Sequence, residues 1–82
     1  MSRSALSILA ANQPGTVIKV AAVISGRGLN IHEMSAKVTE DESVARIVID
    51  FEGEKEKLRL VKGQLEKLEI VREVSILLEA EI

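Results

Sequence analysis

Asn12-Gln13-Pro14-Gly15-Thr16 and Gly26-Arg27-Gly28-Leu29-Asn30-Ile31 bracket a single helix-length segment. The first stretch follows an apolar run in which Leu6, Ile8 and Ala10 alternate with Ser7 and Leu9, the pattern of a buried strand. Pro14 presets its φ for a turn or a first helical turn and biases Gln13 away from helix. Beyond the turn, Val17, Val20, Ala21 and Ile24 fall at i, i+3, i+4 and i+7, one helical face. Gly26 and Gly28 then supply a C-terminal stop, since glycine accepts positive φ.

The remaining chain extends this β–α start. Ile31–Thr39 reads as a second strand with Met34, Ala36 and Val38 on one side. Ile31 is out of phase with them, which predicts a bulge or bend near His32-Glu33. Glu40–Ser43 is a charged turn. In Val44–Glu52, Ala45, Ile47, Ile49 and Phe51 face a core, while Val44, Arg46, Val48 and Asp50 face away. Glu54–Lys67 is a second helix with Leu58, Val61, Leu65 and Leu68 inward; Glu-rich residues open it and Lys67 closes it, which suits the helix dipole. Val71–Ala80 is the last strand, with Val74, Ile76 and Leu78 on one face, and Ser2-Arg3 reads as a frayed terminus. The order βαββαβ, with two right-handed crossovers around a central hairpin, predicts an α+β ferredoxin-like plait: a four-stranded antiparallel sheet with both helices on one face. Val44, Val48 and Leu77 would then point to the uncovered face, where apolar groups invite a partner. Ser35–Val38, an edge segment with few charges, is positioned to extend the sheet into a second subunit.

Composition narrows the function. Eighty-two residues, 46% apolar and 29% charged, suit one soluble domain, and a chain this small gains from burial against a partner. A net charge of −2 draws the molecule neither to nucleic acid nor to an anionic membrane surface, and Phe51, the single aromatic residue, leaves no base-stacking platform. With no cysteine, a disulfide scaffold, a thiolate metal site, a cysteine nucleophile and a cysteine-pair metallochaperone are excluded. The N-terminal apolar run is too short for a signal peptide and no stretch approaches the ~20 apolar residues of a membrane span, so a cytoplasmic location is expected.

The chemistry available centres on the two glycine-bearing turns. A helix N-terminus offers free N–H groups and partial positive charge to a carboxylate, Gly15 permits close approach to the main chain, and Asn12 carries both a donor and an acceptor. The same residues also make a good helix-start turn, and Gly28–Ile31 an ordinary helix stop followed by a strand. Arg27 reads as a last-turn cation. His32, the only histidine, reads as a surface residue: a metal would need more ligands than the scattered carboxylates around it, and no metal or other cofactor is expected. The acidic turn and the Glu54–Lys57 run read as solvated faces.

Leu6-Ser7-Ile8-Leu9, Asn12-Gln13-Pro14-Gly15, Val20 and Arg27-Gly28-Leu29-Asn30-Ile31 resemble the start of the regulatory (small) subunits of acetolactate synthase, and thus an ACT domain. The similarity continues through Thr39-Glu40-Asp41, Arg46-Ile47, Gln64-Leu65-Glu66-Lys67-Leu68, Val71 and Val74. It implies a single ACT domain over residues 1–82 that pairs side by side with a second copy and holds an effector amino acid, with valine, leucine or isoleucine favoured, at the homodimer interface. Carried over by position, Asn12, Gln13, Pro14, Gly15, Thr16 and Val17 would hold the ligand's polar end. Asn30 of the neighbouring subunit would close the site, and Gly28, Leu29 and Ile31 are counted with it among the ligand-binding residues. The resemblance further implies a non-catalytic regulatory role toward the catalytic large subunit, in feedback control of branched-chain amino-acid synthesis. A ligand-free activating subunit, or an ACT protein with another effector, is the alternative.

Two departures bear on this. Small subunits usually carry a second domain, whereas this chain stops at Ile82. Lys37 stands where family members often have a small residue near the ligand; pointing into the pocket it would alter or abolish branched-chain binding, and turned to solvent it changes nothing. Acylphosphatase shares the plait but needs an arginine in the loop after the first strand. Here Asn12–Gly15 has no basic residue, Lys19 faces away, and no activated nucleophile or acid–base pair is present, so an enzyme is not expected.

Overall fold

In the computed structural model, which describes residues 2–79, the elements run β1 (Ser2–Ala11), α1 (Thr16–Ser25), β2 (Asn30–Val38), β3 (Val44–Gly53), α2 (Lys57–Glu66) and β4 (Val71–Glu79). The strands form one sheet in the order β2-β3-β1-β4, every neighbouring pair antiparallel. This is the βαββαβ plait predicted from periodicity. β1 and β3 alternate as expected: Leu6, Ile8 and Ala10 meet Ile49, Ile47 and Ala45 across the ladder, and all six are buried. Val20 and Ile24 of α1 and Leu58, Val61 and Leu65 of α2 join the same cluster, so both helices cover one face of the sheet. Val17 packs at the edge of that cluster. Ala80 lies outside the described residues.

Several expectations need correction. Ser2 and Arg3 are not frayed: they open β1, opposite Gly53 and Glu52, and Ser2 is buried. The guanidinium of Arg3 donates to Asp50 at 2.5 Å, and this bond, with the field of Asp50, Glu52 and Glu33, raises the Arg3 pKa above its ordinary value. Helix α2 starts three residues later than read, at Lys57, after a turn over Lys55-Glu56, so Glu54 and Glu56 precede the helix rather than occupy its first turn. Val44 does fall on the face away from the helices, but it is only 8% exposed. Leu78 does not share a face with Val74 and Ile76. β4 slips register between Ile76, opposite Leu6, and Leu78, opposite Ala5, which turns Leu78 to the uncovered face. The bulge predicted at His32-Glu33 is present as a register shift between Ile31 and Glu33.

The α1–β2 turn is fastened from two sides. Gly28 takes φ +75°, where a side chain would be strained, and Lys57 Nζ donates to the Arg27 carbonyl at 2.9 Å. Arg27 Nε donates to Gln64 Oε1 at 2.8 Å, tying the turn to α2 rather than serving only the α1 dipole. Leu29 is buried against Gly53, where an added Cβ would lie 2.0 Å from Leu29 Cδ2. Gly53→Ala is therefore expected to displace Leu29 and to lower stability by about 1–3 kcal/mol, the usual range for overpacking. Urea denaturation followed by far-UV circular dichroism measures this.

Candidate functional site

β1 ends at Ala11, and the chain turns through Asn12–Gly15 into α1. Thr16 Oγ1 donates back to the Ala11 carbonyl at 2.8 Å, closing this turn over the strand end. Gly15 is the N-cap at φ +87°, no side chain caps the helix, and no atom lies within 4 Å of where a Gly15 Cβ would stand. Main chain here is thus open to close approach. Thr16 N–H reaches the Gln13 carbonyl and Lys19 N–H the Gly15 carbonyl, whereas Val17 and Ile18 N–H find no main-chain acceptor among the described residues. Those two donors and the helix dipole point out of the N-terminus of α1, the arrangement that suits a carboxylate.

A second turn braces Asn12. Asn12 N–H donates to the Ser43 carbonyl at 2.9 Å and its Nδ2 to the Glu42 carbonyl at 2.8 Å, so the amide is oriented and its Oδ1 is left as an acceptor. The β2–β3 turn is held in its own right. Ser43 Oγ and Ser43 N–H both donate to Asp41 Oδ1, at 2.6 and 2.9 Å, and these bonds hold the Asp41 carboxyl below its usual pKa. A depressed folded-state value means that this contribution is complete above the unfolded carboxylate pKa of about 3.9 and disappears as pH falls through the folded value. The Ser43 amide proton resonance is accordingly expected to titrate with a midpoint below that of an unperturbed aspartate, and Asp41→Asn to abolish the titration. An NMR pH series measures both.

Between the two turns lies a half-open pocket of about 120 Å³, lined by Asn12, Gln13, Thr16 and Val17 on one side and by Ala36, Val38 and Ala45 on the other. Four of the residues singled out from the sequence thus share one cavity. Pro14 and Gly15 lie exposed in the turn beside it. The opposite wall was not read from sequence, because it depends on the register that sets Val38 opposite Ala45 and Ala36 opposite Ile47. The sequence signal for it is Ala45, a small residue at a strand end where β3 otherwise carries isoleucine and phenylalanine on the same face. Lys37 also borders the pocket, but it pairs with Arg46, whose Nη1 donates to Ser7 Oγ on the face away from the helices. Strand alternation therefore directs the Lys37 side chain to that face.

Gly28, Leu29, Asn30 and Ile31 lie at the other end of β2. Eight residues of strand separate Asn30 from Val38, about 26 Å at ~3.3 Å per residue, so one chain does not bring the two halves together. Leu29 is spent on the core and Ile31 packs against it, while Asn30 is exposed. His32 Nε2 and Glu52 Oε1 lie 2.8 Å apart in an exposed pair, and no cluster of three metal-ligating side chains occurs among the described residues. No helix among them is long and apolar enough to cross a membrane.

Residues 6–73 match the sequence profile of the AHAS small subunit-like ACT domain. The chain belongs to that family. It is 37% identical over 68 residues to the acetolactate synthase small subunit of Buchnera aphidicola subsp. Baizongia pistaciae, covering 83% of this chain and 43% of the relative. It is 35% identical over 73 residues to the acetolactate synthase isozyme 3 small subunit of Escherichia coli, covering 89% of this chain and 45% of the relative. Among solved structures, the acetolactate synthase small subunit of Thermotoga maritima superposes with a TM-score of 0.81 at 29% identity, over 93% of this chain and 47% of that one. This ACT domain therefore spans just under half the length of the relatives it matches.

Proposed function

We propose that this ACT domain binds a small amino acid, with valine, leucine or isoleucine favoured, between two copies of the chain and thereby regulates the catalytic large subunit of acetolactate synthase in the cytoplasm. The observation that carries the reading is the position of the two halves of the site at opposite ends of one edge strand. β2 is exposed along nearly its whole length, with Val38 55% exposed, and its outer edge is unpaired among the described residues. Antiparallel pairing of two β2 edges around a two-fold axis sets the start of one strand beside the end of the other. Asn30 of each copy then approaches the Asn12–Val17 pocket of its neighbour, twice per dimer. In such a site the free N–H groups of Val17 and Ile18 receive the carboxylate, Asn12 Oδ1 accepts from the ammonium, and Val17, Val38 and Ala45 contact a short apolar side chain. Because each site joins two chains, the ligand favours one dimer geometry and transmits that preference to whatever the dimer docks on. The regulated chemistry belongs to the large subunit, and this domain contributes no reacting group to it.

The test is calorimetric titration of the protein with valine, leucine and isoleucine against a glycine control, since the chain has no Trp or Tyr to report by fluorescence. Saturable heat with up to one site per chain is the expected outcome; absence of heat for all of them overturns the reading. A ligand-free activating subunit is the second reading, favoured by one observation: the Asn12 amide is already engaged by Glu42. Full activation of the large subunit without amino-acid sensitivity distinguishes it.

A further inference from the structure

The face of the sheet away from the helices carries a charge pattern that is complementary to itself. Lys37 and Arg46 sit opposite one another on β2 and β3, two cations side by side. Four residues along the same strands, Glu33 and Asp50 sit opposite one another. Like charges in such register cost stability within one chain, and the separation between the two pairs is about 13 Å at ~3.3 Å per residue. Neither Lys37 nor Glu33 makes an ion pair among the described residues. Midway between them Val48 faces Ser7 across the β1–β3 ladder, and on β1 Leu9 and Ala5 flank Ser7 at the same two levels as the charges.

We infer that this face is a docking surface for a second copy of the chain, stacked sheet on sheet about a two-fold axis that crosses the strands at Val48 and Ser7. Rotation about that axis keeps each strand over its own copy and reverses its direction. Arg46 then lies over the partner's Asp50, Lys37 over the partner's Glu33, Leu9 over the partner's Ala5, and Val48 over itself. The perpendicular choice, an axis along the strands, would set Arg46 over Leu9, Asp50 over Ala5 and Glu33 over Leu78, three charges against apolar groups, where the first arrangement sets one, Glu73 over the partner's Leu78. Small residues at the centre, Ser7 and Ala5 among them, permit the ~10 Å spacing of packed sheets. Leu77 and Leu78, 58% and 49% exposed, enlarge the apolar side of the face at β4. Four strands at ~4.8 Å and five residues at ~3.3 Å make a face of roughly 19 by 16 Å, small against a standard interface, so the stack depends on chain concentration. The stack leaves the β2 edge free and is independent of the edge pairing proposed above, so each can fail without the other.

Sedimentation of the protein over a concentration series tests this at about 0.15 M salt and again at 1 M, where the Debye length of ~3 Å screens the charge contacts. The expected result is a mass that doubles with concentration at low salt, with the midpoint moved at least tenfold upward at high salt. Arg46→Glu sets a carboxylate over the partner's Asp50 and Asp50→Arg sets a guanidinium over the partner's Arg46, so each alone is expected to remain at half the wild-type mass, while an equimolar mixture of the two recovers it. Val48→Glu, which leaves the Arg3–Asp50 and Arg46–Ser7 bonds in place, puts two carboxylates together on the axis and is also expected to halve the mass with an unchanged circular dichroism spectrum. A mass that ignores concentration, or charge variants that associate like the wild type, overturns the inference.

Discussion

Asn12→Ala is expected to weaken amino-acid binding roughly 10- to 100-fold while leaving the plait folded. In the proposed site the removed group is the oriented Oδ1 that would accept from the ligand ammonium, and a hydrogen bond to a charged partner is worth about 1.5–3 kcal/mol. The side chain also donates from Nδ2 to the Glu42 carbonyl, so its loss leaves the β2–β3 turn held to the α1 turn only through the Asn12 N–H bond to the Ser43 carbonyl. That second effect costs about 1 kcal/mol of stability, the net value of an ordinary hydrogen bond. Calorimetric affinity and a thermal melt of the same sample separate the two: a large fall in affinity with a small fall in Tm is the expected pair. Equal affinity in wild type and variant would remove Asn12 from the site.

Phe51→Ala is expected to have the larger effect on stability. Phe51 is the bulkiest fully buried side chain, 2% exposed, packed on the helix-covered face of the central strand pair. Truncation of a buried phenylalanine costs about 3–5 kcal/mol through lost transfer energy and the cavity left behind. A domain of this length holds about 4–12 kcal/mol in total, at ~0.05–0.15 kcal/mol per residue. The variant should therefore melt at least about 12 °C lower, at ~4 °C or more per kcal/mol for a domain of this size. Without another aromatic residue to refill the space, nothing nearby compensates. A melt within a few degrees of wild type would contradict the account of the core.

The fold was legible where one face of an element is buried and the other is not. Ile47, Ile49 and Phe51 alternate with Val48 and Asp50, and Val17, Val20 and Ile24 repeat at helical spacing, so burial wrote their periods into the chain. The β2 bulge was legible because Ile31 falls out of phase with Met34 and Ala36. The β4 bulge was not, because Leu77 and Leu78 are both leucine and a slipped register leaves no mark on hydropathy. Ser2 and Arg3 look like a polar tail. Their partners, Gly53 and Asp50, are some fifty residues away, and local pattern does not carry that pairing.

The site divides in the same manner. The Asn12–Thr16 turn announces itself by Pro14 and Gly15, which punctuate any sequence. Its far wall, Ala36, Val38 and Ala45, is assembled by strand pairing and appears only when the register is known. Glu42 and Ser43 support Asn12 through their main-chain carbonyls, which no side-chain identity betrays. Asn30 was named from the sequence, and the 26 Å length of β2 (at ~3.3 Å per residue) explains why one chain alone leaves it apart from Asn12.

That separation makes the proposed shared site directly testable by mixing. In the proposed dimer, Asn12→Ala and Asn30→Ala each damage both sites. A dimer holding one chain of each has one site with both changes and one with neither. Calorimetric titration of valine into an equimolar, re-equilibrated mixture is expected to recover wild-type affinity at about a quarter of the wild-type site number, the share of intact sites that random pairing leaves. A mixture that binds no better than either variant alone would contradict a site built from two chains.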